Sequence, residues 1–188
     1  MQLHEYQAKV CYTAAGHLIV DEKILLIKHK KLQSWLSPGG HIDENELPHQ
    51  AAEREFFEES GVKVRAVSYN PVPLQFKDAE LLPQPLLINL HWVSKANYDS
   101  RFKIKDSRSR SDTNTDTDTN TISNPWKKGC EQHLGFLYLL EPVGSLDFYQ
   151  NEEETDGIAW FGLDELADIE ILENVRKEIE YTFKLNLI

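Results

Sequence analysis

Gly40-His-Ile-Asp-Glu-Asn-Glu46-Leu-Pro-His-Gln-Ala-Ala-Glu-Arg54-Glu55-Phe56-Phe57-Glu58-Glu59-Ser60-Gly61-Val62 is the stretch whose reading decides the fold. Between Pro48 and Ser60 no glycine or proline interrupts the chain. Proline suits the first turn of a helix and glycine its end, so Pro48 and Gly61 bracket a predicted helix of about three turns. At 100° per residue, Glu58 and Glu59 lie about −60° and +40° from Glu55, which puts three carboxylates on one helical face. Ala51, one turn earlier, is small enough to leave room beside them, and Ala52 and Phe56 project toward a core. Like charges this close repel unless cations sit among them, and hard oxygen donors at this density suit Mg²⁺ or Mn²⁺. The competing reading is an acidic helix face that is simply solvated. Two neighbours favour the metal reading. Gly39-Gly40 before the helix could offer a backbone carbonyl ligand, and Glu46 is placed to pair with Arg54 and tie the loop to the helix.

Charge outside the segment agrees with a concentrated site. The 188-residue chain has 31 acidic and 20 basic residues, a formal net charge of −11, and −6 of that lies within residues 40 to 62. The deficit of cations argues against coating a nucleic-acid backbone. Hydrophobic residues at 40% and charged residues at 27% are those of a globular protein, not of a collagen, a wholly disordered chain or a membrane-embedded one. Length alone favours one domain over residues 1–188.

Upstream, Thr13 to Val20 and Lys23 to Lys30 read as a hairpin turning at Asp21-Glu22, followed by a loop from Lys31 to Ser37 and a break at Pro38-Gly39-Gly40. Downstream, strands are expected at 62–67, 86–95, 134–140 and 158–163. The spacing of Leu166, Ile169, Leu172, Val175, Ile179 and Phe183 predicts one amphipathic helix, or two with a break near Asp168. The mixed order points to an α/β sandwich. Residues 106–124 (DSRSRSDTNTDTDTNTISN) hold a single aliphatic residue and read as a flexible low-complexity insertion, without the glycine and distal glutamate of a calcium loop. Cys11 and Cys130 show no metal-ligand spacing and are expected as buried free thiols. With a polar N-terminal stretch and no long apolar run, no membrane association and a cytoplasmic location are the default expectations.

The 40–62 segment resembles the Nudix box, G-x5-E-x7-R-E-U-x-E-E-x-G-U with U bulky and apolar, at Gly40, Glu46, Arg54, Glu55, Phe56, Glu58, Glu59, Gly61 and Val62. The preceding Trp35-Leu-Ser-Pro-Gly-Gly40, the upstream hairpin and the late Ile158-Ala-Trp160-Phe-Gly-Leu-Asp-Glu-Leu166 are also similar to that family, so the resemblance runs from about Tyr12 to Phe183. It implies an α/β/α sandwich around a mixed sheet, and hydrolysis of a nucleoside diphosphate linked to another moiety. Carried over, Glu55, Glu58 and Glu59 become metal ligands, with the Gly39 carbonyl a fourth. Glu46 and Arg54 position the loop and helix, and Mg²⁺, or Mn²⁺, is the implied cofactor. Divalent cations suit this chemistry because they neutralise phosphate oxygens and lower the pKa of a water.

Three carboxylates committed to metals cannot all remain free to take a proton. Relatives often supply another acid from a loop before the last strand, where Glu152, Glu153 and Glu154 stand here; Glu154 is the expected base, Glu58 or Glu59 the fallback. Lys28, Lys30 and Lys31 could offset phosphate charge or form a solvated cluster, and Trp35 could border a nucleoside or only pack. His17, His29, His41, His49 and His133 form no motif and read as structural. Some relatives carry His-x-Asp where this chain has His133 and Gly135, and ADP-ribose enzymes often have a proline where this chain has Asp78. Nucleoside triphosphates, oxidised or ordinary, and nucleotide sugars therefore all stay open as the small-molecule partner, as does the oligomeric state, a homodimer included. A noncatalytic nucleotide-binding module on the same fold is the alternative function, and an isomerase a third that the complete box does not favour.

Overall fold

The computed structural model describes residues 9–93 and 129–185. Its elements run β1 (Val10–Val20), β2 (Lys23–His29), β3 (Ser34–Leu36), β4 (Gly39–His41), α1 (Pro48–Ser60), β5 (Val64–Val67), β6 (Leu87–Trp92), β7 (Gln132–Pro142), β8 (Thr155–Gly162), a single 3₁₀ turn (Asp164–Ala167) and α2 (Glu173–Lys184). The strands follow the order β3-β2-β1-β7-β5, with β4 beside β1, β6 beside β7 and β8 beside β2. The result is the expected α/β class, a mixed sheet with two helices. The predicted insertion at 106–124 lies outside the described residues.

The chain divides into two compact units, residues 12–88 with 135–188 and residues 1–11 with 89–134. In the first, Ile19 faces Ile24 and Val20 faces Lys23 across the predicted hairpin. Asp21 and Glu22 both take positive φ, 47° and 58°, the arrangement that lets a two-residue turn follow the twist of its strands. The run Ile24-Leu25-Leu26-Ile27 is fully buried because β2 is covered on both faces. Leu25 packs with Ala51, Ala52 and Phe56 of α1, along with Leu18, Val62, Tyr138 and Leu140. Its neighbours Ile24 and Leu26 point the other way, to Leu166 and to Ile179 of α2. Alternation along one strand thus places one helix on each side of the sheet. Each large aliphatic side chain buried there is worth about 1.5–3 kcal/mol relative to exposure.

Two local expectations change. The stretch from Lys31 to Ser37 contains a three-residue strand, β3, in register with β2 through Ile27–Leu36, Lys28–Trp35 and His29–Ser34. Gly39 and Gly40 do not break the sheet; they form β4, paired with Ala15 and Ala14 of β1. Such short strands carry no periodicity of their own and exist only because a longer strand offers its edge. The tail separates as predicted near Asp168, into the 3₁₀ turn and α2.

In the second unit, Lys9 and Glu131 exchange backbone contacts: Glu131 N–H donates to the Lys9 carbonyl at 2.9 Å, and Lys9 N–H donates to the Glu131 carboxylate at 2.7 Å. Val93 N–H donates to the Glu131 carbonyl, and His91 and His133 meet edge to face at 5.5 Å. Here the expectation of free thiols is corrected. Cys11 and Cys130 form a disulfide, with Cα atoms 5.7 Å apart. The two residues are 119 positions apart in sequence, and only the pairing of the chain around Lys9 with that around Glu131 brings them together. No helix among the described residues is long and apolar enough to cross a membrane.

Candidate active site

The site starts from how α1 is fastened. Pro48 opens the helix, Leu47 N–H donates to the Gln50 side chain at 3.1 Å, and Gly61 closes it in the left-handed conformation at φ 74°, its N–H donating to the Phe57 carbonyl. Glu53 accepts a bond from Ala66 N–H at 2.8 Å and so ties the helix to β5. That leaves Glu55 and Glu59 facing β4.

The contact with β4 is close enough to require glycine. A Cβ on Gly40 would fall 2.5 Å from the Glu55 carboxylate, and one on Gly39 would fall 2.5 Å from the Ala14 carbonyl. Gly39 N–H donates to Glu59 at 2.8 Å. Gly40 therefore admits the Glu55 carboxylate against β4, and Gly39 admits the close pairing of β4 with β1.

Arg54 is the hub of the loop and helix. Nε and Nη2 donate to the two oxygens of Glu46 at 2.8 and 2.9 Å, the predicted pair in bidentate form. Nη2 also donates to the His41 carbonyl at 3.0 Å, and Nη1 reaches Glu55 at 2.8 Å and Glu58 at 3.0 Å. Glu46 in turn accepts from Asp43 N–H at 3.0 Å, which folds the 43–46 turn onto the guanidinium. The Arg54 hydrogen bond holds the Glu46 carboxyl below its ordinary pKa.

Glu55 and Glu59 behave in the opposite way. Burial raises Glu55, against the pull of Arg54, with repulsion from Glu58 and Glu154 adding to the rise. Glu59 is only 4% exposed, and burial pushes it up to about 8. The Gly39 N–H opposes that shift, while Glu55, Glu154 and Glu58 reinforce it. Desolvation and mutual repulsion are the two things a bound cation relieves, so this donor set fits a hard divalent metal.

A cavity of about 400 Å³ opens at this point, lined by Gly39, Gly40, Glu55 and Glu59 on one side and by Lys30, Lys31, Glu153 and Glu154 on another. The structure thus brings Gly39, Glu55, Glu59 and Glu154 together although about 100 residues separate Glu154 from the rest. Glu58 is not among the lining residues and is held by Arg54. Lys28 points elsewhere, 3.8 Å from Glu170, and Trp35 packs edge to face on Phe161 at 4.7 Å. A larger open hollow of about 1330 Å³ lies by the β1–β2 turn and the end of α2, where Lys23 pairs with Glu165.

His29, expected as structural, also lines the cavity. Its Nδ1 accepts from the N–H groups of Lys31 and Leu32, both at 3.2 Å. Its place at the end of β2, beside two lysines, was the available signal.

A family model for the NUDIX domain matches residues 12–183. The chain belongs to the Nudix hydrolase family. Among curated proteins, a putative 8-oxo-dGTP diphosphatase from Bacillus subtilis (strain 168) is 42% identical over 53 residues, 27% of this chain and 36% of that protein. The match spans about a third of that relative's length. Among solved structures, a NUDIX-family hydrolase from Clostridium perfringens superposes with a TM-score of 0.64 at 24% identity, covering 94% of this chain and 96% of its own. A MutT NUDIX hydrolase from Burkholderia pseudomallei gives 0.58 at 20% identity, covering 92% and 97%. These likenesses are of fold, and the Nudix box at Gly40–Val62 lies inside the matched region.

Proposed function

We propose that this Nudix hydrolase cleaves a pyrophosphate linkage in a nucleoside diphosphate joined to another moiety, with Mg²⁺ or Mn²⁺ held by Glu55, Glu58, Glu59 and the Gly39 carbonyl. The observation that carries the reading is the convergence of Glu55, Glu59 and Glu154 on one cavity that also presents Lys30 and Lys31. Acids on one side suit cations, and lysines beside them suit the remaining phosphate charge. When bound, the metal would screen the phosphate oxygens and acidify the attacking water.

The chain's own residues do the rest. Arg54 and Glu46 hold the β4–α1 loop against the helix, so the ligand face keeps its shape without help from substrate. Glu154, outside α1 and exposed to the cavity, takes the proton from the attacking water as general base. Its carboxylate is free of the Arg54 network that engages Glu46, Glu55 and Glu58.

Nucleoside triphosphates are the first substrate class to assay, because the curated relative is named for one. A panel of dGTP, 8-oxo-dGTP, other triphosphates and nucleotide sugars, each with Mg²⁺ and with Mn²⁺, tests the reading by product identity. Release of a nucleoside monophosphate with pyrophosphate or a phosphorylated partner is expected; nucleotide binding without metal-dependent turnover anywhere in the panel would refute it. The Cys11–Cys130 bridge argues for an oxidising setting and against the expected cytoplasmic one. Thiol labelling of the protein quenched directly in cells decides between them.

A further inference from the structure

The Asn151 side chain helps to fasten the loop that carries Glu154 to α1. Asn151 Oδ1 accepts from Glu153 N–H at 3.1 Å, which fixes the amide orientation and turns Nδ2 toward the Glu58 carbonyl at 3.3 Å. The Asn151 carbonyl accepts from Glu154 N–H at 3.2 Å and from the N–H and hydroxyl of the buried Thr155, both at 2.9 Å. Asn151 therefore organises the 151–155 turn and joins it to the carbonyl of Glu58, the residue next to Glu59 on α1.

Neighbouring contacts close the same clamp. Tyr149 N–H donates to the Ser60 carbonyl at 2.9 Å, and its ring covers Gly61 so closely that a Cβ there would fall 2.2 Å away. From the other side, Lys30 N–H donates to the Glu154 carbonyl at 3.1 Å, and Lys30 Nζ reaches the Glu152 carbonyl. The turn bearing Glu154 is thus held between the C-terminal end of α1 and the end of β2. The Asn151 side chain is the link whose loss leaves the main-chain bonds in place.

We propose that Asn151 is a positioning residue that fixes Glu154 over the carboxylate face of α1 by bridging the Glu153 amide and the Glu58 carbonyl. The inference rests on the assignment of Glu154 as base. A carboxylate misplaced by about 1 Å is a poor proton acceptor for a water held elsewhere, so the effect falls on turnover and not on substrate affinity.

The test uses the full chain with Mg²⁺ and dGTP or 8-oxo-dGTP, whichever turns over faster, and compares Asn151→Ala, Asn151→Asp, Glu154→Gln and Asn151→Ala/Glu154→Gln. Asn151→Asp keeps the acceptor for Glu153 N–H but sets oxygen against the Glu58 carbonyl, and so isolates the bridge from the turn. The expected result is a fall in kcat of about tenfold or more in both Asn151 variants with KM within about twofold, and no further fall when Asn151→Ala is added to Glu154→Gln. Amide hydrogen exchange, independent of activity, should quicken across 151–155 in Asn151→Ala while α1 keeps its protection. Wild-type kcat and exchange in both Asn151 variants beside an impaired Glu154→Gln overturns the positioning role alone. An additive loss in the double variant shows that Asn151 acts on something other than Glu154. Full turnover in Glu154→Gln overturns the base assignment itself, and the inference with it.

Discussion

Two buried ionisable groups, one on each side of the sheet, make an instructive pair. Glu59 faces the cavity beside α1, and burial pushes it up to about 8. His17, on β1, is fully buried against α2, and burial lowers it to about 3. In both places desolvation favours the neutral form, yet the surroundings differ. His17 Nδ1 donates to Thr182 Oγ1 at 2.7 Å, because the Thr182 hydroxyl is itself donating to the Glu178 carbonyl at 2.9 Å; Nε2 finds no partner among the described residues. Neutral His17 is at rest in a sealed contact. Glu59 sits with other carboxylates in an open cavity, where neutrality by protonation competes with neutralisation by a cation. Burial alone does not mark a functional group; burial with unrelieved like charge and an opening to solvent does.

The largest effect expected from breaking that contrast is on turnover. Glu58→Gln and Glu59→Gln should each lower kcat by orders of magnitude, since amides are weak ligands for hard cations. For Glu59→Gln, calorimetry in chelator should show unchanged or raised thermal stability, and the rise in Tm that millimolar Mg²⁺ confers on the parent protein should shrink. Full activity in both variants ends the metal assignment.

Acid should act on the other member of the pair. The unfolded chain protonates His17 near 6.5 but the folded protein resists until about 3, so the unfolded state binds more protons throughout that window. Stability from this residue is complete above pH 6.5 and is lost as pH falls toward 3, by up to about 1.4 kcal/mol per pH unit. His17→Asn retains a donor near Nδ1 without the titration. Denaturant melts from pH 7 to 4 should therefore show a shallower loss in the variant than in the parent, and equal slopes would contradict the sealed, neutral contact.

Arg54 sharpens the comparison by showing what a relieved carboxylate looks like. Glu46, matched by the guanidinium, is held low in pKa, whereas Glu59, out of its reach, is raised. Arg54→Ala should cost about 1–2 kcal/mol, allowing for partial exposure of the network, and should lower kcat by loosening the loop from the helix. Arg54→Lys should restore the charge but not the bidentate geometry, and so recover only part of either. The smallest effect is expected from deleting residues 106–124, whose single aliphatic residue offers little apolar surface to bury; kcat should stay within about twofold. A large fall at unchanged Tm would assign that tract to the active site.

Much of this was legible in one dimension. The helix bounds at Pro48 and Ser60, the hairpin, the strand positions and the Glu46–Arg54 pair all follow from short-range rules, since proline, glycine, alternation and helical spacing act within a few residues. The short strands β3 and β4 were not legible, because a three-residue strand is stabilised by its neighbour and not by its own pattern. Nor was the place of His29 in the cavity wall, or the contact of Asn151 with Glu58, about 90 residues away.

What the sequence by itself determined is the local chemistry: a helix with three carboxylates on one face, a glycine pair before it and an arginine able to bind its loop. What only the tertiary structure decided is which distant groups meet that face. Glu154 and Lys30 arrive there because β2 and β8 pair side by side, and Cys11 finds Cys130 because the chain around Lys9 pairs with that around Glu131. The same holds for charge state. A glutamate's residue type says it can bind a cation, but its need for one arises from water removed and like charges gathered, and those depend on packing across the whole chain.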